Sequence, residues 1–425
     1  MPHFLMREVP MNPVVVIVGT LDTKGQEVDF LRSELSKTAC RTIVIDVGTL
    51  HPPSCSADIS RSDVALAAGT NIDDIYRRGD RKGAIESMIL GASTIAGRLH
   101  REGSLAGIAS VGGGSGTHIG MGVMRSLPLG IPKLMVSTVA SRDMSKLIGT
   151  KDITVMHSVV DMLGLNPISR KILSNAAAAI AGMASNSKEI HSEKTVVGLT
   201  SFGFITEGAM RVKAKLEQRG YEVAPFHANG TGGMALEDLI EQGIINAVVD
   251  LALHEFSDSL YGGYCGDIGP TRLETAGRFG LPQVIVPGGL DCIVMEFDSI
   301  ETMPPNLRGR EVFWYDFRSG VRTTSEDMVR LAEIIAKKLN RSHGPTKVVI
   351  PLGGFSEADA LGAPLYAPEV NQVFVSELRT RLDSKVEVIE IQAHINDEQF
   401  AESVVGILDS MTKLAHLSRQ SPQKR

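Results

Sequence analysis

Residues 105–120 read L-A-G-I-A-S-V-G-G-G-S-G-T-H-I-G. An apolar run enters three consecutive glycines, 112–114, and leaves through Ser115, Gly116 and Thr117 into a helical-looking segment. A short apolar run ending in glycines predicts a buried parallel strand whose carboxyl end delivers a loop to a crevice. Glycines let a ligand approach the backbone closely, Ser115 and Thr117 add hydroxyls, and the N-terminus of a following helix favours an anion. The stretch is therefore a candidate phosphate cradle. The competing explanation is a tight strand-to-helix turn with no ligand. No Gly-Lys-Ser/Thr follows, so it is not a Walker motif, and it is not a G-x-G-x-x-G on the first strand. The loop alone does not name its ligand.

Upstream, residues 14–19 (V-V-V-I-V-G) form a β-branched run too short for a core helix. It leads into the polar loop 20–25 and then a helical pattern over 26–38 with Val28, Leu31 and Leu35 at helical spacing. Residues 41–47 predict a second strand ending at Gly48 and Thr49. Two such units in succession imply parallel pairing through a right-handed crossover. Ser60 to Asp63 opens a short helix, and Asp80-Arg81-Lys82-Gly83 precedes an amphipathic helix over 84–100. Downstream of the glycine loop, Gly130-Ile131-Pro132 introduces a strand over 133–138 that exits at Ser141-Arg142-Asp143. Four strands with polar or glycine exits make one open α/β domain, closed by an alanine-rich helix over 174–184. We assign it residues 1–185, followed by a linker over 186–194.

The pattern then begins again. Strands are predicted at 195–200, 220–225, 245–253, 283–286, 347–351 and 386–391. The turn Gly280-Leu281-Pro282 echoes Gly130-Ile131-Pro132 in register and place, as topologically similar halves would, although G-[IL]-P is also a generic helix-to-strand turn. The expected fold class is α/β, with two Rossmann-like, doubly wound domains built mainly on parallel sheets. The second domain spans 195–416 and a frayed basic tail spans 417–425.

Composition narrows the classes. With 43 basic against 49 acidic residues, a net charge of −6 gives no case for nucleic-acid binding. No apolar run approaches the length that would span a bilayer, and residues 1–10 do not read as a secretory signal. Cys40, Cys55, Cys265 and Cys292 form no C-x-x-C pair, so a reducing, cytoplasmic setting is expected.

The stretches 19–24 (G-T-L-D-T-K), 44–49 (V-I-D-V-G-T), Asp80-Arg81, 112–117, 126–133 (S-L-P-L-G-I-P-K), 137–141 and 174–177 together resemble the Tm-one-like ATP-binding domain family. The second half resembles it chiefly at 227–233 and 282–291. The resemblance implies two Rossmann-like subdomains, a homodimer, and ATP held by the first. The implied nucleotide contacts are Asp22, Thr23 and Lys24, Thr49, Arg81, and Gly113, Gly114, Ser115, Gly116 and Thr117. The glycine loop reads G-G-G-S-G-T against the family's G-G-S-G-G-T, which displaces its serine.

Read residue by residue, Lys24 suits a phosphate contact or is a solvated loop lysine. Asp22 can orient a ribose hydroxyl, hold Mg²⁺ through water, or form a turn. Arg81 at a helix start opposes the dipole, which a ligand anion would compensate; it also reads as an ordinary exposed arginine. In the second half, polar side chains at strand exits gather on one sheet edge. His227 and Asp291 are the catalytic candidates, bordering one cleft, with Asn229, Glu255, Glu357 and His394 as substrate contacts. His227 and His254 lack H-x-x-x-H or H-E-x-x-H spacing, so no resident metal site is assigned. The expectation is an ATP-binding protein acting on a small anionic substrate, such as a carboxylate metabolite, between its domains. The competing class is a nucleotide-dependent module that binds a partner protein without chemistry.

Overall fold

Val14–Gly19 (β1) carries no polar side chain and is buried from its second residue onward, which suits it to the middle of a parallel sheet covered on both faces. That is its place in the computed structural model, which describes residues 12–188 and 190–420. The chain divides into two compact units, Met1–Ile190 and His191–Arg425.

In the first unit β1 is joined by Arg41–Asp46 (β2), Gly107–Gly112 (β3), Lys133–Ser137 (β4) and Thr154–His157 (β5). The sheet order is β2-β1-β3-β4-β5, and every pairing is parallel. The pleat sends successive side chains of β1 to opposite faces. Val15 and Ile17 meet Leu31, Leu35, Leu173 and Ile180 from the helices Leu21–Ser36 and Pro167–Ser185. Val16 and Val18 meet Met88, Ile95, Ile119 and Val123 from Arg81–Arg101 and Gly114–Arg125. Helices on both faces make the unit doubly wound. β5 was not expected: its T-V-M-H is a partly exposed edge strand with no continuous apolar run. Residues 21–25 are also not the loop the sequence suggested. They form the first turns of the Leu21–Ser36 helix, which bends at Lys24 (φ −127°, ψ 19°).

The second unit has Val196–Ser201 (β6), Glu222–His227 (β7), Ala247–Ala252 (β8), Gln283–Gly288 (β9), Cys292–Met295 (β10), Val312–Trp314 (β11), Ser319–Arg322 (β12), Thr346–Pro351 (β13) and Glu387–Ile391 (β14). Six strands form a parallel sheet in the order β14-β13-β9-β8-β6-β7. The alternation seen in β1 recurs. Leu199, Val249, Val286 and Val349 pack with Val212, Phe400 and Leu408 on one face. Ile285, Val348 and Ile350 pack with Leu331, Ile335 and Phe374 on the other. β10, β12 and β11 form a separate antiparallel sheet that the sequence reading missed. The last helix, Glu398–Gln420, continues through residues 417–420, so the tail expected from 417 is helical there; 421–425 lie outside the described residues. Among the described residues no helix is long and apolar enough to cross a membrane.

Both sheets reverse their strand order beside their first strand: β1 lies between β2 and β3, and β6 between β7 and β8. Crossovers leave such a strand towards opposite faces, so a crevice opens at the carboxyl ends there, and ligands of open α/β sheets bind in it.

Candidate functional sites

At the first switch point the exits of β1 and β3 adjoin; a Cβ added to Gly116 would stand 3.9 Å from Thr20 Oγ1. The glycines of the loop divide into two kinds. At Gly112 a Cβ would lie 2.7 Å from the Gly116 carbonyl carbon, so the turn itself demands glycine. At Gly113 the nearest atom to an added Cβ is 3.8 Å away, at Gly116 it is 3.7 Å away, and at Gly114 nothing lies within 4 Å. None of these three has a positive φ. Neither packing nor conformation within the unit explains glycine there. The Gly114–Arg125 helix starts among them with no side-chain cap on its first N–H groups, a ready arrangement for an anion.

The flanking residues are tied to one another. Arg81 Nη2 donates to Ser115 Oγ at 3.1 Å, and Asp80 caps the helix that Arg81 begins. Asp22 Oδ2 accepts from Leu50 N at 2.7 Å and His51 N at 3.3 Å, which clasps the β1 exit to the β2 exit next to Thr49. Asp22 Oδ1 has no partner. Thr23 shares a 2.9 Å hydroxyl contact with Thr20. Lys24 Nζ donates to Met162 O at 2.5 Å. Thr117 differs from the rest: it is fully buried, its hydroxyl 2.7 Å from Ser137 Oγ and 3.3 Å from Gly112 O. Its hydroxyl is engaged in pinning the glycine loop to β4, where the sequence reading had it facing a ligand.

The second switch point holds a cavity of about 110 Å³. Phe202, Gly203 and Phe204 line it from the exit of β6, His227 from the end of β7 and His254 from beyond β8. Tyr315, Arg318 and Ser319 come from the β11–β12 hairpin. His254 is completely buried, stacks on Phe202 with centroids 3.8 Å apart at 15°, and has no partner for either ring nitrogen. Leaving a buried polar group unpaired costs about 1–3 kcal/mol. Burial first, then the neighbouring His227 and Arg272 charges, push its pKa down to about 3, so the imidazole is neutral near pH 7. Burial and Arg318 also lower that of His227. Beneath the cavity a buried ion cluster anchors the β8 exit. Arg272 Nε donates to Glu255 Oε2 at 2.7 Å and Nη2 to Asp250 Oδ1 at 2.8 Å, while Glu255 Oε1 accepts from Gly230 N at 2.7 Å.

The residues expected to form one second-half site are therefore dispersed. His227 lines the cavity, and Asp291 does not. Asp291 is fully buried at the exit of β9, where Oδ2 accepts from Ser356 Oγ at 2.7 Å and Oδ1 has no partner. Burial and the nearby Asp359 raise its pKa. Glu255 is locked in the ion cluster and Asn229 accepts from Gly232 N at 3.2 Å at a helix start. Glu357 is exposed on a 3₁₀ turn. His394 contacts Ser356 O at 2.9 Å through Nε2 and accepts from Asn396 N at 3.2 Å through Nδ1, so its ring fixes a loop. The cavity residues that sequence reasoning missed are the aromatics and Arg318. The signal was present in V-F-W-Y-D-F-R-S-G-V-R, residues 312–322, whose aromatic and β-branched residues around a polar turn favour a hairpin.

Residues 13–189 match the N-terminal domain and 194–412 the C-terminal domain of an uncharacterised protein family (UPF0261). A UPF0261 protein of Clostridium tetani is 41% identical over 94% of this chain and 99% of its own length. One from Brucella suis is 34% identical, covering 94% and 95%. The tomato (Solanum lycopersicum) ToMV susceptible protein tm-1(GCR26) is 33% identical over 97% of this chain and 58% of its own. The matches cover both units, and the chain belongs to the UPF0261 family.

Proposed function

We propose that the first unit binds ATP at the switch point between β1 and β3. The observation that carries this reading is the set of three glycines, Gly113, Gly114 and Gly116, whose bare backbone no internal contact explains, at the uncapped start of a twelve-residue helix. A triphosphate supplies what the arrangement lacks: negative charge for N–H groups at a helix start, and a surface close enough to exclude a Cβ. Arg81, already beside Ser115, would meet a phosphate oxygen. Lys24 would exchange the Met162 carbonyl for another, and the free Oδ1 of Asp22 would accept from a ribose hydroxyl or hold a hydrated Mg²⁺. The resemblance of these positions to the Tm-one-like ATP-binding domain family supports the same assignment.

The test is Gly114→Val. Its Cβ enters open space, so folding stability should stay within about 1 kcal/mol of wild type. Calorimetric titration with ATP should show saturable binding by wild type and none by the variant. In thermal unfolding, ATP at a hundred times its Kd should stabilise wild type by about 2.7 kcal/mol and leave Gly114→Val unmoved. A folded Gly114→Val protein with wild-type ATP affinity would remove the proposal.

A further inference from the structure

We propose that the cavity at the second switch point is a binding site for a small organic acid, its carboxylate meeting Arg318 and an adjoining oxygen meeting the His254 imidazole. Position is the first support. The cavity lies where β6 stands between β7 and β8, the location at which an open parallel sheet offers a crevice to a ligand.

The second support is His254. A completely buried imidazole on a cavity wall, with neither nitrogen partnered, is a polar group for which folding alone gives no return. The Phe202 stack fixes its ring plane. Because the ring stays neutral near pH 7, it offers one donor and one acceptor, which suits a hydroxyl or carbonyl oxygen better than a second charge.

The third support is charge. Arg318 Nε and Nη2 are held by Asp316 at 3.1 and 2.7 Å, and its guanidinium lies 5.0–5.4 Å from the rings of Phe317, Tyr264 and Tyr315. The group is oriented, and Nη1 has no partner among the described residues. The lining contains two imidazoles and this guanidinium and no carboxylate; its one thiol, Cys265, is held protonated by burial and by Asp258. Aromatic walls around one oriented guanidinium and two imidazoles favour a small anion with an apolar body and a further polar oxygen. A single water needs roughly 10–15 Å³, so about 110 Å³ admits a compact acid.

Gly203 provides the decisive variant. It lines the cavity without a positive φ, and an added Cβ would meet only Tyr315 Oη, at 3.7 Å. Gly203→Val therefore fills the cavity from a position the fold tolerates. Full-length protein would be titrated calorimetrically with pyruvate, lactate, malonate and succinate, with pyruvamide, lactamide, malonamide and succinamide as uncharged controls. At least one acid should bind saturably and at least tenfold more tightly than its amide. Gly203→Val and Arg318→Gln should each weaken it at least tenfold while keeping the wild-type unfolding midpoint, and the ¹⁵N resonances of His254 should shift on saturation. Gly114→Val should retain acid binding, which keeps this site's failure distinct from that of the ATP reading. Absence of binding by all four acids, equal binding of acid and amide, or undiminished binding by the two cavity variants would overturn the proposal.

Discussion

Replacing Arg272 with methionine keeps most of the side chain's volume and removes the cation that three buried carboxyls share. Arg272 is completely buried. It grips both oxygens of Asp250, one of Glu255 at 2.7 Å and the Ala252 carbonyl at 3.1 Å, with Glu237 at 3.8 Å. Breaking a buried pair by removing one partner costs about 3–5 kcal/mol, and here three acids are stranded at once. We expect Arg272→Met to lose about 4 kcal/mol at pH 7 in urea unfolding. Tryptophan fluorescence suits the measurement because the sole tryptophan, Trp314, lies in the second unit. The pH dependence is the sharper test. Burial already raises Glu237 and Glu255 above their unfolded values, and without the arginine that lowers them both rise further. A carboxyl with a raised folded pKa contributes stability that is present below its unfolded pKa and lost as pH rises through the folded one. The variant should therefore recover stability relative to wild type as pH falls from 7 to 5. A loss under about 1 kcal/mol, or a gap that does not change with pH, would refute the assignment of the cluster as the anchor of the β8 exit.

Two further outcomes follow from neighbouring features. Gly112→Ala places a methyl 2.7 Å from the Gly116 carbonyl carbon and should cost about 1–3 kcal/mol by thermal unfolding, in contrast to the tolerated change at Gly114; equal stability of the two variants would contradict the division of the loop glycines. Asp258, whose pKa burial pushes up to about 7 against the N–H groups of Val294 and Cys265, should make wild type less stable as pH rises from 5 to 8. Over that window the upper bound is about 2.7 kcal/mol, two pH units at about 1.36 kcal/mol each, and Asp258→Asn should flatten the curve; an unaltered slope would assign the dependence elsewhere.

What could be read beforehand follows from how each element is buried. The strands β1, β3, β4, β8 and β9 are covered on both faces, so they appear as predominantly apolar runs, and the glycine loop is conspicuous because it directly follows one of them. β5 and β10–β12 are only three or four residues long, so neither length nor periodicity marks them. The cavity was harder still. Its walls come from residues 202–204, 227, 254 and the 312–322 hairpin, and only the sheet order makes those segments neighbours. Asp291 and His394 illustrate the converse: both sit at strand exits, as expected, yet Ser356 engages each of them.

The central position of β1 has a consequence for biosynthesis. V-V-V-I-V leaves the ribosome first among the described strands, yet it pairs on one side with β2 and on the other with β3, which starts only at Gly107. At roughly 5–20 residues per second, the nascent chain carries an uncharged, β-branched segment with one unpaired edge for several seconds. Such a segment is the kind that pairs with copies of itself. Until β3 arrives, cover for its two faces must come from the Leu21–Ser36 and Arg81–Arg101 helices. Changes that slow either helix would thus lower the yield of folded protein even when the finished structure is no less stable.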